Sequence, residues 1–324
     1  MIHKLKVLRG EGFDPHYNLA VEQVLLESVG EGECIFYLWR NENTVVIGRN
    51  QNAWRECRSS LLQEEGGRLA RRLSGGGAVF HDLGNLNFTF LMRQTDYDLD
   101  KQLSVIEMAL RALGVEASRS GRNDILAEGR KVSGNAFYKN GTQAYHHGTL
   151  LVDADMEKLS RYLSPSKAKL EAKGVASVRS RVANLKELNS SITVDILMDA
   201  LEESFSEVYG LKAERITEDS LDSAAIEILR LRNCSWDWLW GRKLSFDYQA
   251  EDRFPWGSLE LRFRVENGII TRAQVHSDAM DWALAPKLEE AFIGCPFDQL
   301  SLLRRVEGLP WEADVAKMLI RLEI

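Results

Sequence analysis

Three strand-like runs lie between residues 123 and 152, joined by turns too short to hold a helix. The first turn is Glu128-Gly129 and the second is Lys139-Asn140-Gly141. An Asn-Gly pair between alternating runs is a strong hairpin signal, and strands joined this tightly must pair in antiparallel fashion. Because the helix-like segments are separated from these strands in sequence, the pattern predicts an α+β fold with a large, mostly antiparallel sheet.

Apolar periodicity predicts further elements on both sides of this meander. Residues Tyr17 to Val29 form an amphipathic pattern, which predicts a helix with Asn18 as its N-cap. Two β-rich runs, Ile35–Trp39 and Thr44–Gly48, are separated by a short polar segment, which predicts a hairpin. Other helices are predicted at Trp54–Glu65, Leu99–Leu113, Val194–Val208 and Ala224–Trp238.

The length of the chain, 324 residues, allows one large domain or two ordinary ones. Its pattern loosens around Gly241 to Asp252, and a hairpin about Asn267-Gly268 is followed by three helix-like runs. We therefore predict a large first domain at 1–242, a linker at 243–250 and a small α+β domain at 251–324.

Composition excludes several classes of protein. The hydrophobic content of 44% and the charged content of 27% are those of a soluble globular protein. A formal net charge of −7 argues against nucleic-acid binding, and no apolar run is long enough to predict a membrane span. The N-terminus does not resemble a secretory signal, and the four cysteines fit neither a metal site nor a disulfide framework. We expect a cytoplasmic protein with reduced thiols.

The segment from Arg71 to Asp82 contains three consecutive glycines after a pair of arginines. Glycines cost backbone entropy, so a stable protein keeps them where the chain bends sharply or touches a ligand closely. Free N–H groups and flanking cations can hold phosphate or carboxylate oxygens. A tight hairpin is the alternative, but the arginines and the following residues 81–85 favour a ligand site. The segment matches neither a P-loop nor a dinucleotide-binding motif.

Lys131 stands at the start of a predicted strand, in the sequence Gly129-Arg130-Lys131-Val132-Ser133-Gly134. Alternation along a strand predicts that Lys131 and Ser133 share one face. A lysine ammonium there can bridge a carboxylate and a phosphate that must react, although a solvated lysine at a strand edge is the simpler interpretation. On the neighbouring strand, His146 and His147 are predicted to face opposite sides, and only His147 is a pocket candidate. The pair is not predicted to bind a metal.

The segment from Arg161 to Arg181 is strongly basic, with Glu171 as its single acid. Its end, Lys173–Arg181, is small, flexible and cationic, which predicts a loop that closes over a triphosphate or an adenylate. No cysteine lies between Cys57 and Cys234. A mechanism with a cysteine thioester in the meander is therefore disfavoured, whereas activation through a nucleotide needs no cysteine.

These segments follow one order along the chain: Arg71–Asn85, Gly121–Asp124, Arg130–Gly134, His146–Leu151 and Lys173–Val182. Together they resemble the bacterial lipoate–protein ligase A family, and weaker similarity continues through Trp256–Leu261 and Ile270–Val275. The resemblance implies a biotin/lipoate ligase-like fold with a C-terminal accessory domain. It also implies a two-step reaction, in which lipoate and ATP give lipoyl-adenylate and the lipoyl group then passes to a lysine of a lipoyl domain.

The resemblance further implies partners, cofactors and residue roles. The acceptors would be E2 subunits of 2-oxoacid dehydrogenases and the glycine cleavage H protein, and the enzyme would be a monomer that uses ATP and Mg²⁺ without a tightly bound prosthetic group. Lys131 would be catalytic and would touch both nucleotide and lipoate. The other implied residues are Arg72, Gly77, Ala78, Val79 and Phe80 for ATP; Ser74, Gly75, Gly76 and His147 for lipoate; Lys173, Gly174, Ser177, Val178, Arg179 and Arg181 for the adenylate loop; and Asn85 and Asp124 as further candidates. Lys139 departs from the family, which has an arginine there.

Two alternatives stay open at this point. A transferase of the same fold could take lipoyl or octanoyl groups from a preformed donor, and pyrophosphate release from free lipoate and ATP would separate it from a ligase. A non-catalytic protein could instead bind lipoate or lipoyl domains without turnover. The intact glycine segment and Lys131 favour an enzyme.

Overall fold

A computed structural model describes residues 1–121, 123–163, 182–240 and 247–321 of the chain. The strands are β1 (Lys4–Arg9), β2 (Glu33–Trp39), β3 (Thr44–Ile47), β4 (Arg68–Arg71), β5 (Val79–His81), β6 (Asn85–Arg93), β7 (Ala117–Ser120), β8 (Asp124–Ala127), β9 (Arg130–Lys139), β10 (Gln143–Leu151), β11 (Ala213–Ile216), β12 (Tyr248–Phe254), β13 (Gly257–Glu266) and β14 (Ile269–Ser277). Runs of consecutive strands, such as β7 to β10 and β12 to β14, are followed by mostly helical segments, as expected for an α+β protein.

The helices of the described residues lie on the faces and ends of the sheets. Two short 3₁₀ turns, Gln94–Asp96 and Glu218–Ser220, accompany them. The α-helices are α1 (Pro15–Ser28), α2 (Ala53–Glu56), α3 (Ser59–Glu64), α4 (Leu99–Ala112), α5 (Met156–Tyr162), α6 (Leu185–Leu188), α7 (Val194–Tyr209), α8 (Ser223–Cys234), α9 (Trp236–Leu239), α10 (Leu284–Phe292), α11 (Gln299–Val306) and α12 (Glu312–Ile320).

The largest sheet has eight strands in the order β11-β1-β2-β6-β10-β9-β8-β7. The pairings of β1 with β2 and with β11 are parallel, and the other neighbours in this sheet are antiparallel. The predicted meander is confirmed, because β8, β9 and β10 are successive antiparallel neighbours. The predicted fold class is therefore also confirmed.

The hairpin predicted from β2 and β3 is wrong. Strand β3 pairs in parallel with β4 and in antiparallel fashion with β5, in a separate three-stranded sheet. Both edges of β2 are already occupied by β1 and β6 in the large sheet. The chain therefore leaves the large sheet after Trp39 and begins a second one, which later faces it across a cavity.

Two helix predictions also need correction. Helix α1 begins one turn earlier than predicted, and Asp14 rather than Asn18 is its N-cap, accepting hydrogen bonds from the backbone N–H groups of His16 and Tyr17. Asn18 is buried and donates instead to the carbonyl of Arg40 at 2.8 Å. The long helix predicted at 54–65 is divided into α2 and α3.

The large sheet separates two apolar clusters. One face packs against α4 and α7, where Phe36 and Phe90 stack with their ring centroids 4.2 Å apart. The opposite face packs against α1 through residues such as Tyr37 and Leu91. Burial of both faces fixes the strand register, because a one-residue slip would exchange the two sets of side chains.

The C-terminal unit consists of the sheet β12-β13-β14 and helices α10 to α12. It has its own apolar cluster, which includes Phe263 and Phe292. Strand β12 begins inside the segment assigned above to a linker at 243–250, and residues 241–246 lie outside the described part, so the boundaries stay a prediction. No described helix combines the length and apolar character needed to cross a membrane.

Candidate active site

A cavity of about 160 Å³ is lined by residues of the large sheet and of the three-stranded sheet β4-β3-β5. Seven of the residues singled out from the sequence line it: Arg72, Gly76, Gly77, Ala78, Val79, Lys131 and His147. Ser74, Gly75, Phe80, Asn85 and Asp124 lie outside its lining. The lining also contains residues for which no individual role was predicted, among them Leu19, Trp39, Val46, His81, Asn87, Asn123, Gly134, Asn135, Ala136 and Thr149.

Phe80 illustrates why a neighbour of the cavity need not line it. Successive side chains of β5 point to opposite faces, so Val79 contacts the cavity while Phe80 packs away from it. Its ring centroid lies 5.4 Å from that of Tyr162. Phe80 therefore supports the strand from behind.

Lys131 lines the cavity, but the prediction that Ser133 shares its face is wrong. A β-bulge shifts the register of β8 and β9, so that Lys131 pairs with Leu126 whereas Ser133 pairs with Ile125. Ser133 also lies opposite Leu150, which belongs to the apolar cluster on the other side of the sheet. The extra residue re-aims Lys131 towards the cavity, a common use of bulges near functional sites.

The ammonium of Lys131 lies 2.6 Å from Oδ1 of Asp124 on the neighbouring strand. Gly134 leaves room for this side chain, because a Cβ at Gly134 would lie 3.0 Å from Lys131 Nζ. The carbonyl of Lys131 accepts a hydrogen bond of 2.9 Å from the N–H of Ala183. The chain therefore returns to Lys131 directly after the predicted adenylate loop, whose residues Lys173–Arg181 lie outside the described part.

The glycine segment passes very close to other backbone. A Cβ at Gly75 would lie 2.3 Å from the carbonyl oxygen of Ala279 in the C-terminal unit, and Gly76 has a φ of 88°. The N–H of Gly76 donates to that same carbonyl at 2.9 Å. Glycine is therefore required both for the approach and for the left-handed backbone, and in this structure the Gly76 amide already has a protein partner.

Arg72 braces the glycine segment. Its Nη2 donates to the carbonyls of Gly75 at 2.7 Å and Gly77 at 2.8 Å, and its Nε donates to the hydroxyl of Ser74 at 3.0 Å. A further bond of 3.2 Å reaches the carbonyl of Val46 on β3. Burial lowers the pKa of Arg72 to about 10, so the guanidinium stays charged at neutral pH.

Arg71 is also buried, but on the opposite face of the segment. Its Nη1 donates to the carbonyl of Gln51 at 2.7 Å, and its Nη2 donates to that of Leu239 at 2.7 Å. Arg71 thus connects α9 to the sheet β4-β3-β5. Arg72 instead holds the glycine segment.

The two histidines face opposite sides of the large sheet, as predicted. His147 lines the cavity and lies between Ser74, at 2.7 Å from its Nε2, and Glu22, at 2.8 Å from its Nδ1. His146 packs among aromatic rings on the other face, including Phe88 and Phe90. Burial lowers the pKa of His146 to about 3.

His81 lines the cavity without carrying charge. Its Nδ1 lies 3.2 Å from Nδ2 of Asn41, whose Oδ1 accepts a hydrogen bond from Asn18. Asn41 Nδ2 is therefore a donor, which assigns the proton of a neutral imidazole to Nε2. Burial lowers the pKa of His81 to about 3, and Nε2 has no hydrogen-bond partner among the described residues.

Asn87 offers a second such group. It is buried, lines the cavity, and its Nδ2 also lacks a partner among the described residues. Its Oδ1 accepts a 3.0 Å hydrogen bond from Asn85, which gives that sequence-predicted residue a supporting position. Buried donors without partners are costly, and both of these N–H groups belong to residues of the cavity lining.

The described residues contain no group of three or more His, Cys, Asp or Glu side chains arranged to hold a metal ion. The described lining of the cavity also contains no cysteine. The cations of its lining are the ammonium of Lys131 and the guanidinium of Arg72, and the other lining residues are asparagines, histidines, a threonine, glycines and apolar side chains.

The chain matches known protein families in sequence and known proteins in structure. Residues 14–206 match the lipoyl protein ligase A/B catalytic domain, and residues 243–320 match the bacterial lipoate protein ligase C-terminus. The structure is similar over nearly its whole length to that of P. falciparum LipL1 in complex with lipoate. The two chains are 29% identical, with a TM-score of 0.87 over 98% of this chain and 100% of that one.

Two other solved structures match the larger part of the chain. One is a bipartite lipoate protein ligase from Thermoplasma acidophilum, studied with its E2 lipoyl domain. It is 27% identical, with a TM-score of 0.65 over 76% of this chain and 100% of that one. The other is a lipoate-protein ligase A bound with ATP, 27% identical, with a TM-score of 0.63 over 74% of this chain and 99% of that one.

Proposed function

The chain belongs to the lipoyl protein ligase A/B catalytic domain family, and from this membership and the cavity we propose that it is an ATP-dependent lipoate–protein ligase. Lipoate and ATP would form lipoyl-adenylate and pyrophosphate. The lipoyl group would then pass to the ε-amine of a lysine on a lipoyl domain, with release of AMP. The similar structures that contain lipoate or ATP support this assignment of substrates.

The observation that carries the proposal is the ammonium of Lys131 at the cavity wall. In the first step a carboxylate oxygen attacks the α-phosphate of ATP, so two anions must meet. A lysine between them lowers their repulsion, and its charge stabilises the phosphorane-like transition state as pyrophosphate leaves. Lys131 is the residue we propose as catalytic.

The glycine segment would supply the nucleotide side of the cavity. Gly77, Ala78 and Val79 line it, and main chain without bulky side chains can lie close against a nucleotide. We propose that Arg72 acts mainly by holding this segment, since its donors are engaged with the carbonyls of Gly75 and Gly77. A segment that is already held in its final position needs no rearrangement during the reaction.

In the second step the amine attacks the acyl carbon and the carbonyl oxygen gains negative charge. Lys131 would stabilise that oxyanion, and the loss of one such donor typically costs about 10²–10³ in rate. AMP leaves with the electrons of the acyl–phosphate bond, and the amine loses its proton. Candidate acceptors are lipoyl domains of E2 subunits and the glycine cleavage H protein. The solved Thermoplasma system with its E2 domain supports the first of these.

Three parts of the proposal concern the environment of the enzyme. Mg²⁺ would arrive with ATP and be held mainly by phosphate oxygens and water, as is usual for this ion. No step is assigned to a protein-bound metal, because the described residues offer no three-ligand cluster. We propose a monomer that acts in the cytoplasm. The absence of cysteine from the described lining disfavours the thioester-forming transferases of this fold.

The proposal is tested by exchange of labelled pyrophosphate into ATP. We expect exchange that depends on added lipoate, because the first step is reversible and needs both substrates. A transferase that uses only a preformed acyl donor would give none. Absence of exchange with both lipoate and octanoate would overturn the proposed function.

A further inference from the structure

A buried carboxylate, Glu22 of α1, lies behind the cavity without lining it. Its side chain is only 2% exposed. No role is predicted for Glu22 from the sequence, in which it is one acid within an amphipathic helix. Its hydrogen bonds nevertheless connect it to opposite walls of the cavity.

The first branch runs from Glu22 to the glycine segment. Oε1 of Glu22 lies 2.8 Å from Nδ1 of His147, and Nε2 of His147 lies 2.7 Å from the hydroxyl of Ser74. That hydroxyl also accepts a hydrogen bond of 3.0 Å from Nε of Arg72. Because an ionised carboxylate only accepts, the imidazole of His147 donates from Nδ1 to Oε1 of Glu22.

The second branch runs from the same oxygen to the large sheet. The hydroxyl of Thr89 donates to Oε1 of Glu22 at 2.8 Å and accepts a hydrogen bond of 3.1 Å from the indole N–H of Trp39. All of these groups are buried. One carboxylate oxygen therefore accepts hydrogen bonds from both branches, through His147 and through Thr89.

Three members of the two branches, Arg72, His147 and Trp39, line the cavity. They come from separate parts of the fold: the chain after β4, strand β10 and strand β2. A single carboxylate on α1 thus fixes the positions of three wall residues that no local sequence relationship connects. Buried networks of this kind specify one arrangement when every member is satisfied.

The Ser74, His147 and Glu22 geometry resembles a nucleophilic triad, but its position argues against that role. Ser74 is fully buried and lies outside the cavity lining. Its oxygen is held between Arg72 and His147 rather than presented to a substrate. The chain of hydrogen bonds is therefore suited to positioning rather than to covalent catalysis.

We propose that Glu22 is a positioning residue that sets the shape of the acyl-binding part of the cavity. This inference rests on the proposed function, because it assigns the apolar wall around Trp39 to the acyl chain of the carboxylic acid substrate. Through Thr89, Glu22 fixes the indole plane, and through His147 it fixes the opposite wall. Removal of the Thr89 branch loosens the site for the acid and leaves the nucleotide side in place, because only the His147 branch reaches the glycine segment.

The test compares isosteric variants at positions that do not line the cavity. Thr89→Val keeps the shape of the side chain but removes both hydrogen bonds, whereas Thr89→Ser keeps the hydroxyl. Glu22→Gln removes the charge at nearly constant volume. Glu33→Gln is a matched control, because Glu33 is a buried glutamate of β2 whose partner at 2.7 Å is Lys6, away from the cavity.

In lipoate-dependent pyrophosphate exchange, Thr89→Val and Glu22→Gln should raise the KM for lipoate about tenfold, the effect of losing one or two hydrogen bonds. In Thr89→Val the KM for ATP should stay within about twofold, because the interactions lost lie on the branch that does not reach the glycine segment. Thr89→Ser should restore the lipoate KM. Unchanged lipoate KM values in folded Thr89→Val and Glu22→Gln would overturn the inference. If Glu22→Gln fails to fold, Thr89→Val decides alone.

A second readout needs no turnover. The indole N–H resonance of Trp39, assigned with Trp39→Phe, should shift in Thr89→Val and return in Thr89→Ser, and ¹⁵N shifts of His147 should report a protonated Nδ1. An unmoved indole resonance would contradict the second branch. If the wild-type protein shows no lipoate-dependent exchange, the proposed function fails, whereas these resonances still decide whether Glu22 organises the cavity.

Discussion

The Nζ atom of Lys131 lies 2.6 Å from Oδ1 of Asp124, and the two side chains are 33% and 36% exposed. Exposed ion pairs contribute only about 0–1 kcal/mol to stability, so this one is easily exchanged for another. Asp124 therefore holds the ammonium at the cavity wall while leaving it accessible to a substrate anion. The pair explains how a lysine can be both fixed in position and available for catalysis.

Lys131→Ala should abolish lipoate-dependent pyrophosphate exchange, with a loss of at least about 10² in rate, because no other described ammonium lines the cavity. The matched control is Lys186→Ala. Lys186 forms an ion pair of the same length, 2.6 Å, with Asp153, outside the cavity lining. The control should keep full exchange. Full exchange in Lys131→Ala would remove Lys131 from the mechanism.

Arg72→Lys should lower the exchange rate about tenfold or more and should also lower the free energy of unfolding. One ammonium cannot replace a guanidinium that reaches Ser74, Gly75 and Gly77 together. Urea unfolding and exchange kinetics measure the two effects. Arg264→Lys, at an exposed ion pair with Glu266, is the control and should change neither. A wild-type exchange rate in Arg72→Lys would mean that the bracing hydrogen bonds do not matter.

Gly75→Ala should disturb the contact between the glycine segment and the C-terminal unit, because its Cβ would lie 2.3 Å from the backbone oxygen of Ala279. We expect a lower midpoint of thermal unfolding and faster proteolysis between the two units. Gly12→Ala is the control, since a Cβ there meets nothing within 4 Å. Equal stability of the two variants would show that this close approach is not needed.

Stability should fall in mild acid because two buried histidines resist protonation. Burial lowers the pKa values of His81 and His146 to about 3 in the folded protein, against 6.5 for an unfolded chain. The folded state therefore binds fewer protons in this window. The stability contribution is complete above pH 6.5 and is lost as the pH falls towards 3.

Between about pH 7 and about pH 5, each histidine should cost about 2 kcal/mol of unfolding free energy. His146→Gln should reduce the difference measured by urea unfolding at these two pH values by about that amount. His3→Gln, at an exposed position, should leave the difference unchanged. An equal difference in wild type and His146→Gln would show that His146 is not buried in its neutral form.

The sequence predicted those features that depend on neighbouring residues. Tight turns identified the meander of β8, β9 and β10, and the motif residues Arg72, Gly77 and Lys131 all reach the cavity lining. The prediction from alternation that Ser133 shares a face with Lys131 was wrong. A β-bulge depends on how two strands pair, so the sequence of β9 alone does not reveal it. The predicted hairpin of β2 and β3 was wrong for a similar reason. The strands that pair with β2 are β1 and β6, which are distant in sequence, and the local pattern does not reveal them.

The organisation around Glu22 could not be predicted at all. Its partners Thr89 and His147 are 67 and 125 residues away in sequence, and neither relationship leaves a local pattern. His81 had a signal, since it follows the three glycines closely in the sequence, but its neutral tautomer depends on Asn41 and Asn18. Such polar networks become visible only when distant strands and helices have been brought together.

The most direct test of the account is the mass of an acceptor. The purified protein is incubated with ATP, magnesium, lipoate and an isolated E2 lipoyl domain, and the domain is then examined by intact-mass spectrometry. We expect an increase equal to one lipoyl group, dependent on ATP and absent with Lys131→Ala. An acceptor that stays unmodified with lipoate and ATP, yet is modified when lipoyl-adenylate is supplied, would contradict the ligase and identify a transferase.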